Sequence, residues 1–333
     1  MRAAFKQTKV RATTLELVSY SQDVVEEYRK QGLRLTLRQL YYQLVTKNLI
    51  TNEEKSYKRL GKAVSTGRLA GLLDWDAIED RGRVPKRHPH WKNVRSIVES
   101  ALHSYRLNRL KGQPTYVELW VEKEALAGVL EPLAERFHIV LMVNKGYSSQ
   151  SAMYQAACRI DEACREQDKA GQEGRIVSNP VILYLGDFDP SGEDMVRDIG
   201  DRLNMFLEGY KIDEEEEPST PYEHSSPTGW NIEYCRALQV EVQKIAITMD
   251  QIQLYNPPPN PAKISDSRAK AFIAEHGASS WEVDALPPSV LEQIVIDAVE
   301  EHLDMEMMRE IIDREKEDKK LLREAANKIM SSY

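Results

Sequence analysis

The sequence predicts an α/β protein in two parts: a mostly helical unit over residues 1–112, and a strand–helix unit over 113–333 ending in a helical extension. Three observations point there. Apolar residues recur at helical spacing through the first part, then after Pro114 change to short apolar runs alternating with amphipathic stretches. Charge divides at the same place: residues 1–112 hold 23 Lys+Arg against 11 Asp+Glu, and the rest holds 22 against 42, although the whole chain carries only −8. Two of the apolar runs end in carboxylates, at Glu122 and Asp187, where ligands gather in a parallel sheet.

The elements follow in order. Residues 13–30 form a helix with Leu15, Leu17, Val18, Val24, Val25 and Tyr28 on a broken stripe. Thr36-Leu37-Arg38-Gln39 is a capping box that starts a second helix. In it Leu37, Leu40, Tyr41, Leu44 and Val45 make the buried face, and Tyr42 lies one step round, off that face, with Arg38 four residues before it. A third helix runs from about Glu53, with Tyr57, Leu60, Gly61 and Val64 inward and Lys55, Lys58, Arg59 and Lys62 outward. Residues 71–75 and 78–84 read as a hairpin. Three helices, the third basic, and a hairpin describe a winged-helix module. Residues 85–89 are turn-rich, and 91–110 are expected to be a helix.

The second part reads as strands at 116–122, 138–144, 181–187 and 240–247, and helices at 125–137, 149–167, 192–207 and through 288–332. Residues 213–218 are an acidic loop and 257–261 a rigid proline loop. This order implies a mostly parallel, Rossmann-like sheet covered on both faces.

Several classes are excluded or disfavoured. No apolar run approaches the roughly 18 residues of a membrane span. The first residues carry charge but no apolar core, so secretion is not expected. Cys158, Cys164 and Cys235 form no metal-ligand pair and no even disulfide framework. A cytoplasmic enzyme or binding protein is the expectation, with a basic N-terminal part suited to polyanions.

The chemistry concentrates at the strand ends. Asp187-Phe188-Asp189 places two hard oxygen ligands within reach of one divalent cation, and Mg²⁺ prefers a few carboxylates, water and substrate phosphate. Glu122 completes such a site or acts as general acid or base, and Asp194 is an additional candidate carboxylate. A tyrosine is a poor nucleophile at neutral pH unless a cation favours its phenolate, which Arg38 would do for Tyr42. The ordinary alternative makes these polar strand ends and a surface or interface tyrosine. His88 and His90 around Pro89, and Lys263, Asp266 and Arg268 after the proline run, are weaker candidates for metal and for a DNA channel.

Arg38-Gln39-Leu40-Tyr41-Tyr42, then 121–125, then Lys145-Gly146-Tyr147, then 187–192, resemble the A subunit of topoisomerase VI and its relatives, the meiotic double-strand-break proteins. The resemblance covers about residues 30–210 and, more weakly, 244–286 with Trp281-Glu282-Val283-Asp284-Ala285-Leu286. It implies a winged helix joined to a Toprim domain (the metal-binding domain of topoisomerases, some nucleases and primases). It further implies Tyr42 as nucleophile on double-stranded DNA, leaving a 5′-phosphotyrosyl end, with Arg38 as its electrostatic neighbour. Glu122, Asp187 and Asp189, with Asp194, become Mg²⁺ carboxylates, and the protein a nucleoid-associated homodimer in which one protomer's tyrosine meets the other's metal. Lys55, Lys58, Arg59, Lys62, Arg68 and Lys145 are the expected DNA contacts.

The pattern departs from the family in places. Ser148-Ser149 stands where the family has Pro-Asp, and residues 300–332 have no counterpart. The segment of about a dozen residues before the first helix leaves an ATPase B-type partner in doubt. Two other readings stand beside the resemblance: a hydrolytic Toprim nuclease of a mobile or defence system, and a DNA-binding protein that does not cut.

Overall fold

Local chemistry starts the first unit much as read. In the computed structural model, which describes residues 5, 10–74, 78–79, 90–170, 179–208, 238–262 and 266–330, helix α1 spans Ala12–Lys30. Thr36 caps α2 (Leu37–Thr46): its hydroxyl accepts from Gln39 N, and the Gln39 side chain accepts from Thr36 N. α3 is Glu54–Leu69, with Leu60 and Val64 buried and Lys55, Lys58, Arg59 and Lys62 exposed. Two short strands, β1 (Leu35–Thr36) and β2 (Ile78–Glu79), pair in parallel. This corrects the expected hairpin, since residues 71–73 form a turn and bend and Ile78 turns to Leu35 instead. The rest of 75–84, the 85–89 stretch with His88, the 213–218 loop, Cys235 and Lys263 lie outside the described residues.

The helix read at 91–110 is shorter. α4 is Val94–Ser104, started by a capping box at Asn93 and Ser96, and the backbone turns extended at Tyr105. It packs beside α11 (Met305–Met330), with Tyr105 donating to Asp318 at 2.9 Å.

The second unit is built on a four-stranded parallel sheet of β3 (Val117–Val121), β4 (Val140–Val143), β5 (Val181–Leu185) and β6 (Glu241–Ala246), in the order β4-β3-β5-β6. Between them lie α5 (Ala127–Phe137), entered through a 3₁₀ turn at Glu124–Leu126, α6 (Gln150–Ala170) and α7 (Pro190–Glu208). His138 adopts a left-handed conformation that ends α5, so β4 begins later than expected. Central strands β3 and β5 are buried on both faces, which accounts for their near-continuous apolar runs. After β6 come α8 (Met249–Tyr255), β7 (Asn260–Pro261), α9 (Ala269–His276), β8 (Ser279–Ser280) and α10 (Pro288–His302). The 257–261 proline loop therefore ends in a strand, β7, pairing antiparallel with β8. No helix among the described residues is long and apolar enough to cross a membrane.

One feature of this core escaped the sequence reading. Glu118, in the middle of β3, is 0% exposed. It accepts from the Tyr116 hydroxyl and Trp120 Nε1, both at 2.7 Å, and takes Arg159 as a two-pronged partner at 2.9 Å on each oxygen. A buried carboxylate survives only with its lone pairs satisfied, and removing one partner of such a pair is costly. Glu118→Ala is expected to lose about 3 kcal/mol or more of stability. A urea denaturation curve against wild type reads that loss directly.

Candidate active site

The strand order locates a crevice. Connections leave β3 toward β4 on one side and β5 toward β6 on the other, so the carboxyl ends of β3 and β5 flank the switch point where α/β sheets bind ligands. Glu122 directly follows β3, and Asp187 follows β5 after Gly186. Their backbones are knit together: Glu122 N donates to Leu185 O at 2.9 Å, and Asp187 N donates to Glu122 Oε2 at 2.9 Å. Asp189 caps α7 by accepting from Ser191 N and Oγ and from Gly192 N, at 2.7–3.0 Å. Helix α7 thus starts at Pro190 rather than at Gly192, which lies in its first turn.

Gly192 is required by that geometry. A Cβ there would lie 2.2 Å from the Asp187 carbonyl oxygen, which also accepts from Lys244 Nζ at 2.8 Å. Since the obstruction is backbone, Gly192→Ala must displace the Asp187–Asp189 turn, and a loss of about 3 kcal/mol is expected. Thermal unfolding of the variant checks it.

Burial pushes the carboxyls of both Glu122 and Asp187 above their ordinary range, and the charge of Asp187 raises Glu122 further. Lys123 opposes this. Its ammonium reaches Asp187 Oδ1 at 2.7 Å, Glu282 Oε2 at 2.8 Å and Asp284 Oδ1 at 3.0 Å. Lys244, its own pKa lowered by burial, pairs with Glu193.

Glu282 and Asp284 are the residues that sequence reasoning missed. They lie in the 281–286 segment, which is pinned to the Asp187–Asp189 turn by paired backbone hydrogen bonds between Phe188 and Trp281 at 2.8 and 3.0 Å. Val283 N also donates to Asp187 Oδ1 at 2.9 Å. The available signal was an acid–x–acid spacing matching that of Asp187 and Asp189.

The same pair holds the helical unit. Arg38 of α2 forms ion pairs with Glu282 and with Asp284, the latter at 2.9 Å. Its guanidinium lies 5.8 Å from the centre of the Tyr42 ring. Tyr42 itself is 4% exposed, which corrects its expected place off the buried face. A second surface covers α2 from the far end of the chain: Ala285 joins its apolar cluster, and Asn260 Nδ2 approaches the Tyr42 hydroxyl at 3.4 Å. Burial raises the phenol above its ordinary pKa, against the lowering pull of Asn260 and Arg38. Tyr41, buried as expected, spends its hydroxyl on Asn52 Oδ1 at 2.9 Å and Glu53 O at 3.3 Å.

Compared with protein-family models, curated proteins and solved structures, the chain matches none. The site therefore speaks through its own chemistry. Among the described residues, no group of three or more His, Cys, Asp or Glu is arranged to hold a metal ion. Mg²⁺ does not demand one, because it keeps several waters and takes one or two carboxylates beside substrate phosphate. Glu122 and Asp187, both pushed up by burial, fit that role, since a divalent cation would relieve their repulsion.

Asp194 stands apart from them in its partners. It accepts from the Tyr147 hydroxyl and pairs with Arg197 and Arg268, contacts that hold its carboxyl down at about 2. Arg268 is also paired with Asp266. Of the expected DNA contacts, Lys58 is ion-paired to Glu54 and Lys145 to Glu124, both on exposed surface, while Arg68 donates to the Ile78 carbonyl.

Proposed function

We propose that this chain is a Mg²⁺-dependent enzyme that cleaves duplex DNA through Tyr42, in the manner of the A subunit of topoisomerase VI, acting as a homodimer so that two tyrosines cut two strands. One juxtaposition carries the reading, and it lies within one chain, where the resemblance implied a partner's metal: the Tyr42 helix meets the carboxyl ends of β3 and β5 through Arg38, Asp284 and Lys123, which in turn holds Asp187. In the reaction the Tyr42 oxygen forms a bond to phosphorus as the bond to the 3′ oxygen breaks. The phenolic proton is lost, the 3′ oxygen gains one, and the phosphodiester persists as a 5′-phosphotyrosyl link, so no ATP is consumed.

Arg38 steadies charge on the phenolic oxygen, while Glu122 and Asp187 would hold Mg²⁺ with Asp189 nearby as cap of α7. A bound Mg²⁺ supplies neutralisation of charge on the phosphoryl oxygens and the departing oxygen. The exposed Lys55, Lys58, Arg59 and Lys62 on α3 supply phosphate contacts that position the duplex without reading sequence.

A second reading, hydrolysis by water at the carboxylates, is favoured by the burial of Tyr42. Supercoiled plasmid incubated with protein and Mg²⁺, quenched in detergent and run with and without protease, separates the two. Product whose mobility changes on protease treatment carries covalent protein and supports tyrosine transfer. Protein-free ends support hydrolysis, and intact plasmid overturns both.

A further inference from the structure

The nucleophile of the proposed reaction is sealed in this structure. A reacting phosphorus must come within about 3–3.5 Å of the attacking oxygen. Tyr42 is 4% exposed, and its hydroxyl faces Asn260 of the second unit. For Tyr42 to act, the seam covering it must part.

That seam is built to part. Ala285 is the one residue of the second unit in the apolar cluster of the first, among the described residues. Among the described residues, the hydrogen bonds and ion pairs across it are Arg38 with Glu282 and Asp284, Asn52 Nδ2 with Pro259 O at 2.8 Å and Asn260 Oδ1 at 3.1 Å, and Asn260 with the Tyr42 hydroxyl. Within it, Arg38 Nε and Asp284 Oδ2 are buried and 2.9 Å apart, yet are not aligned as a hydrogen bond. A seam at α2 with one buried apolar residue of the second unit, and held otherwise by these polar pairs, can part as domain contacts do by default.

Charge says what moves it. The guanidinium of Arg38 is held by carboxylates, and a phosphate presents the same oxygen geometry to that planar fork. The Arg38 side chain stays 42% exposed despite those pairs, so a phosphate of a duplex held by the exposed bases of α3 can compete for it.

We propose that Glu282 and Asp284 form an autoinhibitory latch that holds Arg38 and keeps Tyr42 covered, and that a DNA phosphate releases it by replacing Glu282 on Arg38. This rests on Tyr42 being the nucleophile, and it explains how a reactive tyrosine stays inert until a duplex is bound.

The test reads Tyr42 directly. N-acetylimidazole acylates accessible tyrosines, and peptide mass analysis compares Tyr42 with exposed Tyr154 and fully buried Tyr184 in the same chain. In DNA-free wild type, Tyr42 is expected to react as slowly as Tyr184. In the Glu282→Gln/Asp284→Asn double variant it is expected to react at least about fivefold faster, the effect of a small shift in a two-state balance, with Tyr154 unchanged. Raising salt from roughly 0.05 M to 0.5 M on wild type should act in the same direction but more weakly, through the partly exposed Arg38–Glu282 pair, since the buried Asp284 pair is screened little. That arm stands alone if the double variant does not fold.

The trigger is read by hydrogen exchange of the 281–286 peptide. A short duplex is expected to quicken it, and inorganic phosphate at equal phosphate concentration is not. A Tyr42 that is reactive in wild type, or unmoved by both the variant and salt, overturns the latch. A bound duplex that leaves 281–286 unchanged, or free phosphate that matches it, overturns DNA as the trigger. Cleavage with Tyr42 always reactive would sink the latch but keep the function. Opening without covalent cleavage would do the reverse.

Discussion

Tyr42→Phe is expected to abolish the covalent protein–DNA product while leaving a folded protein that still binds DNA. The substitution removes one oxygen. Among the described residues the hydroxyl's hydrogen bond is one long contact, 3.4 Å from Asn260 Nδ2, so its loss should cost no more than about 1 kcal/mol. The ring keeps its edge-to-face packing on Tyr41, with centroids 5.2 Å apart, and its place beside Arg38. Chemically nothing replaces it. The neighbouring Tyr41 hydroxyl is committed to Asn52 and the Glu53 carbonyl. Tyr41→Phe is therefore the control, and it should retain the adduct. The measurement is a detergent-quenched plasmid assay with radiolabelled DNA, scored as label travelling with protein. If the adduct persists in Tyr42→Phe, Tyr42 is not the nucleophile. If both proteins release protein-free ends, water is the attacking group.

How much of this was legible in the sequence depends on how far apart the interacting residues lie. The capping box at Thr36 and Gln39 spans three residues and was readable outright, as were the apolar runs of β3 and β5. That the sheet is parallel followed from alternation, because parallel strands need crossover helices, whereas the order of its strands came only with the structure. What failed was coverage by distant segments. The apolar spacing of α2 describes one buried face. Tyr42 is covered on another by Asn260, 218 residues away, and nothing local signals that. Ile78 likewise pairs with Leu35 of β1, a partner the expected hairpin did not foresee. At the site, the strand-end carboxylates Glu122 and Asp187 were visible because topology puts strand ends in the crevice. Their ionic partners were not, because Lys123 reads as an ordinary polar residue until Glu282 and Asp284 are folded against it from 159 and 161 residues away.

Those partners decide the outcome of the other large-effect substitution, Asp187→Asn. The crevice gathers six carboxylates, Glu122, Asp187, Asp189, Glu193, Glu282 and Asp284, around three cations, Arg38, Lys123 and Lys244. An excess of negative charge repels a DNA phosphate unless a further cation is bound, which is the physical case for Mg²⁺ here. Asp187→Asn keeps the side-chain oxygen that accepts from Val283 N and Lys123, and Lys123 retains Glu282 and Asp284, so no buried charge is orphaned. Removing the charge also removes the repulsion that raises Glu122. The variant is thus expected to be as stable as wild type, or more so, the behaviour of a position shaped by chemistry at the expense of stability. Cleavage should nonetheless fall by at least about a hundredfold, the scale seen when one preorganised charge-stabilising group is lost. Asp187→Ala makes the contrast. It loses the Val283 contact along with the charge, and its melting temperature should drop beside its activity. Parallel calorimetry and cleavage assays on the two variants read this. An Asp187→Asn protein that cuts at the wild-type rate would remove the carboxylate pair, and with it the metal, from the proposed reaction.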